Sequence, residues 1–135
     1  MSAIPTELSL LAWSVLLLLV MTLTGSVVRG HGWTPAGVMK LAGNRDDLPL
    51  ANTGFAGRAD RAWRNMSDGL VMFATLVLAA NAAGISNENT VLGAQLFFWA
   101  RLVYFPVYLI GIPYLRTVVW IVSVVGLAII FLELV

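Results

Sequence analysis

The sequence predicts an all-α fold: an integral membrane four-helix up-down bundle that forms a single domain over residues 1–135. Hydrophobic residues make up 59% of the chain and charged residues only 11%, which is too apolar for a soluble domain of this size. A membrane helix needs roughly 20 apolar residues. Apolar segments of about this length cover residues 8–28, 58–83, 90–110 and 114–135.

The first apolar segment is predicted to be a membrane helix rather than a cleaved signal peptide. The residues before it include no Lys or Arg, and the apolar run itself is long. The polar connection over residues 30–57 comes next, and connections of this length are often functional. The segments after it are joined by short turns at residues 84–89 and at Gly111-Ile112-Pro113, where proline cannot extend the preceding helix. Short turns make these segments antiparallel neighbours.

The basic residues are distributed unevenly between the two sides of the predicted bundle. The ends joined by residues 30–57 and by the Gly-Ile-Pro turn carry Arg29, Lys40, Arg45, Arg58, Arg61, Arg64 and Arg116. The opposite ends carry only acidic residues, namely Glu7, Glu88 and Glu133. The positive-inside rule therefore places residues 30–57 in the cytoplasm and both termini on the opposite side of the membrane.

Composition excludes several kinds of site and partner. The net charge of +1 gives no basis for a nucleic-acid partner. The chain has no cysteine, which excludes a thiolate metal site and a cysteine nucleophile. No spacing of His, Asp and Glu resembles a metal site, so we expect no bound metal.

A polar stripe begins the second apolar segment. Arg61, Asn65 and Asp68 are spaced i, i+4, i+7, so they share one helix face, with Arg64 at its edge. An ionisable residue at membrane depth costs about 2.5–3.5 kcal/mol on insertion scales, and such residues normally face a protein interior or a wet cavity. The stripe therefore predicts a site.

A second stripe lies in the third apolar segment, where Arg101, Tyr104 and Tyr108 are spaced i, i+3, i+7. Counting outward from the turn near residue 86 puts the two stripes at the same depth, with Asp68 as the expected counter-charge of Arg101. Arg116 lies on the same cytoplasmic side. The competing interpretation is that the charges only hold helices together.

These residue types favour a small anionic ligand. The guanidinium group binds carboxylates bidentately, asparagine both donates and accepts, and aspartate holds an ammonium group. A tyrosine hydroxyl or an arginine also stabilises a ligand thiolate. An amino-acid-like polyanion fits this set, and the protein need not supply a nucleophile.

The two stripes resemble motifs of the MAPEG family, the membrane-associated proteins in eicosanoid and glutathione metabolism, and the chain resembles a bacterial-type member. The second-helix signature corresponds to Arg58-Ala-Asp-Arg61-Ala-Trp-Arg64-Asn65-Met-Ser-Asp68. The motif of the third and fourth helices corresponds to Arg101-Leu-Val-Tyr104-Phe-Pro-Val-Tyr108 and Gly111-Ile-Pro-Tyr-Leu-Arg116. The likeness covers the whole chain.

The resemblance implies a homotrimer with glutathione as cosubstrate in a site between subunits, and a lipophilic small molecule that arrives from the bilayer. By motif position, the residues expected to bind glutathione are Arg61, Arg64, Asn65, Asp68, Arg101 and Tyr104. Arg116 and Tyr108 take the catalytic positions that stabilise the thiolate. Asp68 stands where the mammalian enzymes usually have glutamate, and Tyr104 stands where some members have another residue.

The leading interpretation is a glutathione-dependent membrane transferase or peroxidase that acts on lipophilic electrophiles. Family membership alone does not establish catalysis, because one fold hosts many functions. One alternative is a non-catalytic trimeric membrane scaffold or lipid-binding protein that uses the polar cluster for helix association. A small proton-coupled exporter is the other, although arginines near Asp68 would hinder proton coupling.

Overall fold

The computed structural model describes residues 3–46, 48 and 54–135. These residues form five helices and no strand, which confirms the all-α prediction. The helices are α1 Thr6–Gly30, α2 Pro35–Ala42, α3 Gly54–Ala82, α4 Glu88–Ile110 and α5 Pro113–Leu134. Three of the described helices, α1, α4 and α5, are long and apolar enough to cross a membrane. Helix α3 is the longest, with 29 residues, and its first half carries the polar stripe.

Helix α2 lies inside the polar connection 30–57, where no helix was predicted. Helix α1 ends at Gly30, and the next residue, His31, adopts the left-handed conformation with φ of 50°. Thr34 then caps α2 by accepting a hydrogen bond of 3.0 Å from the Gly37 backbone amide, and Pro35 takes the first helical position. Gly37 is buried against the end of α1, where a Cβ atom would clash with the carbonyl oxygen of His31.

The four long helices share one buried core. Its most deeply buried large side chains come from α1 (Met21), α3 (Phe73), α4 (Phe97) and α5 (Ile130). Phe73 and Phe97 stack with ring centroids 4.2 Å apart, so they join α3 to α4 at the centre. This core fixes the rotation of α3 and α4 and thereby decides which of their polar residues face each other.

Helices α4 and α5 approach so closely that their backbones touch. A Cβ atom on Gly93 would lie 2.6 Å from the carbonyl oxygen of Gly126, and one on Gly126 would lie 2.5 Å from that of Gly93. Small residues at such crossings let helix backbones approach in membrane proteins. The pair therefore holds α5 against α4 over the part of the helices that carries the core.

Polar side chains join three segments at the end of the structure opposite α2. The Glu7 carboxylate accepts hydrogen bonds from the hydroxyls of Ser86 (2.9 Å) and Thr90 (2.6 Å). Glu133, near the end of α5, accepts from the side-chain amides of Asn87 (2.6 Å) and Asn89 (2.7 Å). The start of α1, the α3–α4 turn and the end of α5 are thus held together.

Candidate functional site

A polar cleft opens where α3, α4 and the start of α5 meet. Its volume is about 240 Å³, and it is lined by Asn65, Tyr104, Tyr108, Arg116, Thr117 and Trp120. Gly111, in the left-handed conformation with φ of 87°, ends α4 and turns the chain into α5. This turn brings the first residues of α5 beside the tyrosines near the end of α4.

Arg101 lies at the base of this region and is only 2% exposed. Its guanidinium donates a hydrogen bond to the side-chain oxygen of Asn65 and lies 5.3 Å from the ring centre of Phe97 and 5.5 Å from that of Tyr104. Its Nε atom is buried and has no hydrogen-bond partner among the described residues. Arg101 therefore holds Asn65 and Tyr104 in position but does not itself line the cleft.

The expected ion pair between Asp68 and Arg101 is wrong. Asp68 is exposed, and it forms no ion pair within the described part of the chain. Asn65, and not Asp68, binds the Arg101 guanidinium because Asn65 lies on the side of α3 that faces α4. Asp68 follows three residues later and is therefore rotated about 60° around the helix axis, away from that side.

Tyr108 lies between two arginines at the mouth of the cleft. Arg61 donates from Nε to the Tyr108 hydroxyl over 3.2 Å, and the Arg116 guanidinium carbon lies 5.1 Å from the centre of the Tyr108 ring. The Tyr104 and Tyr108 rings are 5.3 Å apart between centroids. A group bound beside Tyr108 therefore meets a hydroxyl and two guanidinium groups.

The structure brings six of the predicted site residues together and leaves two outside the cleft. The assembled residues are Arg61, Asn65, Arg101, Tyr104, Tyr108 and Arg116. Arg64 points to the outside, where its side chain is 71% exposed and pairs with Asp60 at 2.9 Å. Asp68 is also exposed. Both lie on the outer surface of α3.

Three residues that build the site were not predicted, and a fourth, Arg58, was noted without its structural contact. Thr117 and Trp120 line the cleft at the start of α5, and helical spacing could have indicated Trp120, which lies four residues after Arg116. Arg58 donates from Nε to the Leu109 carbonyl oxygen over 2.9 Å and so supports the turn before α5. Gly69 leaves room for Arg101, since a Cβ atom there would lie 2.6 Å from a guanidinium nitrogen.

Two other openings flank α1. A polar cleft of about 170 Å³ between α1 and α3 includes Ser26, Arg29 and Asp60, and at its edge the Trp63 indole donates to the Thr22 hydroxyl over 2.8 Å. An apolar groove of about 540 Å³ runs between α1 and α4 beside Trp13 and Trp99. Within the described ranges, no group of His, Asp and Glu side chains is placed to hold a metal ion.

The comparisons with known proteins give one family. A sequence model described as the MAPEG family matches residues 8–135, which is nearly the whole chain. No curated protein and no solved structure matches the chain.

Proposed function

Because this chain belongs to the MAPEG family, we propose that it is a glutathione-dependent membrane transferase or peroxidase acting on lipophilic electrophiles. The observation that carries the proposal is the position of Tyr108, whose hydroxyl binds Arg61 and whose ring lies against Arg116. The protein spans the membrane in this proposal, with residues 30–57 in the cytoplasm and both termini opposite. The cleft then opens on the cytoplasmic side.

The chemistry of the cleft fits glutathione, a tripeptide with two carboxylates, an ammonium group and a thiol. Arg61 and Arg116 supply guanidinium forks for the carboxylates or for the sulfur, since that geometry suits anions. Asn65 both donates and accepts, so it suits a peptide bond. Arg101 does not reach the ligand directly. Instead, Arg101 orients the Asn65 side chain through the hydrogen bond between them.

Thiol activation is assigned to Tyr108 and Arg116. The Tyr108 oxygen accepts the Arg61 N–H, which leaves the hydroxyl hydrogen free to donate to a sulfur beside it. A hydrogen bond and a nearby positive charge both favour the thiolate and lower the pKa of the ligand thiol. In the transferase reaction the thiolate then forms a sulfur–carbon bond with the electrophile as the leaving group departs.

The size of the cleft supports a site shared between subunits of a homotrimer. One protomer offers about 240 Å³, below the roughly 300–1,000 Å³ typical of small-molecule pockets. Arg64 and Asp68 meanwhile stand exposed on the outer surface of α3. In the proposed trimer a neighbouring subunit completes the pocket, and these two residues contact the remaining part of the tripeptide, with Asp68 binding its ammonium group.

Glutathione binding by purified protein in detergent tests this proposal. Titration calorimetry is expected to show binding, and ultraviolet absorbance to show thiolate near neutral pH. Arg116→Ala should abolish the thiolate signal, whereas Lys40→Ala removes one charge on α2 and should leave it intact. If millimolar glutathione neither binds nor raises the unfolding temperature, the proposal is wrong.

The second candidate is a non-catalytic membrane scaffold. The observation in its favour is the partly buried hydrogen bond between Arg101 and Asn65, which joins α3 to α4. Polar contacts of this kind hold membrane helices together without catalysis. In that case Arg101→Gln disrupts assembly, and glutathione has no effect on the wild-type protein.

A further inference from the structure

Helix α2 presents three different faces. Gly37 and Leu41 pack toward the end of α1, and Leu41 reaches the positions where Cβ atoms on Gly30 and Gly32 would lie. Val38 and Met39 lie on a second face and are 53% and 77% exposed. Ala36 and Lys40 lie on the third face and are also exposed. Because each helical residue turns about 100°, Val38 and Ala36 point in nearly opposite directions.

The exposed apolar face of α2 closely follows a helix that is able to cross a membrane. Helix α1 is apolar enough to cross a membrane and ends at Gly30, and α2 starts only five residues later at Pro35. Trp33, between the two helices, is 65% exposed. Tryptophan is enriched at membrane interfaces, and short amphipathic helices lie in that plane with their apolar face among lipids.

Basic side chains border the same helix. A cleft of about 290 Å³ after α2 is lined by Lys40, Gly43, Asn44, Arg45, Asp46 and Leu48. Arg45 uses Nε to cap α2 at the Leu41 carbonyl oxygen over 2.7 Å, which fixes its guanidinium at the helix end. Among the described residues that line this cleft, the basic Lys40 and Arg45 outnumber the acidic Asp46 by one charge, which suits a single phosphodiester anion.

We propose that α2 and this cleft form a binding surface for an anionic phospholipid. The headgroup phosphate binds Lys40 and Arg45, while Trp33, Val38 and Met39 lie among the upper parts of the acyl chains. Continuity with the membrane-capable α1 and the positive charge beside an exposed apolar face both favour lipid as the occupant. This surface is separate from the cleft at Tyr108 and does not depend on glutathione chemistry.

Single cysteines test the orientation of α2, because the chain contains none of its own. Val38→Cys and the matched control Ala36→Cys are labelled with a nitroxide in the full-length protein, reconstituted in nanodiscs that contain phosphatidylglycerol. The spin relaxation of the nitroxide at residue 38 should be accelerated mainly by molecular oxygen, which concentrates in lipid. The spin relaxation of the nitroxide at residue 36 should be accelerated mainly by a nickel chelate, which stays in water. A residue-38 label that is open to nickel, or shielded from both reagents by protein, overturns the proposal.

A binding measurement tests the headgroup contact. Fluorescent phosphatidylglycerol is titrated into the detergent-purified protein, with fluorescent phosphatidylcholine as the zwitterionic comparison. Lys40→Gln should weaken phosphatidylglycerol binding about fivefold, the size expected for one basic residue at an anionic surface, and Lys40→Arg should restore it. Equal binding of the two lipids, an unchanged affinity in Lys40→Gln, or full displacement by millimolar inorganic phosphate contradicts the proposal.

Discussion

Gly69→Ala tests how the buried guanidinium of Arg101 is accommodated. The added Cβ atom lies 2.6 Å from one guanidinium nitrogen and 3.1 Å from the guanidinium carbon, so Arg101 must move. The end of a flexible side chain usually moves at little cost, but Arg101 is 2% exposed and bound to Asn65. If the hydrogen bond between Arg101 and Asn65 is kept, overpacking lowers the free energy of unfolding by about 1–3 kcal/mol. If that hydrogen bond breaks, the free energy of unfolding falls by about 1.5–3 kcal/mol. Alanine stabilises a helix by roughly 0.5–1 kcal/mol relative to glycine. The net decrease in the free energy of unfolding is therefore about 1–2 kcal/mol.

Gly25→Ala is the matched control for this prediction. Gly25 also lies within a helix, and a Cβ atom there meets nothing within 4 Å, so the substitution should leave stability unchanged or slightly raised. Thermal unfolding in detergent is the assay, and Gly69→Ala should unfold several degrees below both other proteins. In the Arg101→Gln background the cost of Gly69→Ala should largely disappear, because the displaced group is gone. Equal stability of Gly69→Ala and Gly25→Ala would refute the reasoning.

Two further substitutions separate the chemistry of the cleft from its architecture. Tyr108→Phe removes the hydroxyl group but keeps the ring beside Arg116. The thiolate absorbance of bound glutathione should therefore fall, while the affinity measured by calorimetry should change less than the absorbance does. An unchanged thiolate signal would exclude the hydroxyl from thiol activation. Gly126→Ala places a Cβ atom 2.5 Å from the Gly93 carbonyl oxygen, so the backbone of one helix must move. The free energy of unfolding in detergent should therefore fall by about 1–3 kcal/mol or more. A variant as stable as the wild type would contradict the close contact between the two helices.

Helical spacing predicted that the polar stripes of α3 and α4 lie close together. Asn65 and Arg101 come from the two predicted stripes, one on α3 and one on α4, and a side-chain hydrogen bond joins them. The partner of Arg101 was chosen wrongly because charge favoured Asp68, whereas a rotation of about 60° around α3 decides which side chain faces α4. Periodicity shows which residues share a face, but the packing of Phe73 on Phe97 sets where that face points.

The remaining misses have different physical causes. Helix α2 was overlooked because Thr34-Pro35 also suits a turn, and the helix is too short to show clear periodicity. The role of Gly69 depends on a side chain from another helix, so nothing near it in the sequence indicates that role. Arg58 was counted among the basic residues at the cytoplasmic ends, whereas its Nε atom donates to the Leu109 carbonyl oxygen at the end of α4.

The hydrogen bonds of Glu7 set an order of events during biosynthesis. Its partners Ser86 and Thr90 follow it by 79 and 83 residues, so they are synthesised long after α1. In a nascent chain the Glu7 carboxylate therefore lacks these two partners until the α3–α4 turn has been synthesised. Chains that end before residue 86 should therefore hold the start of α1 less firmly than the full chain does.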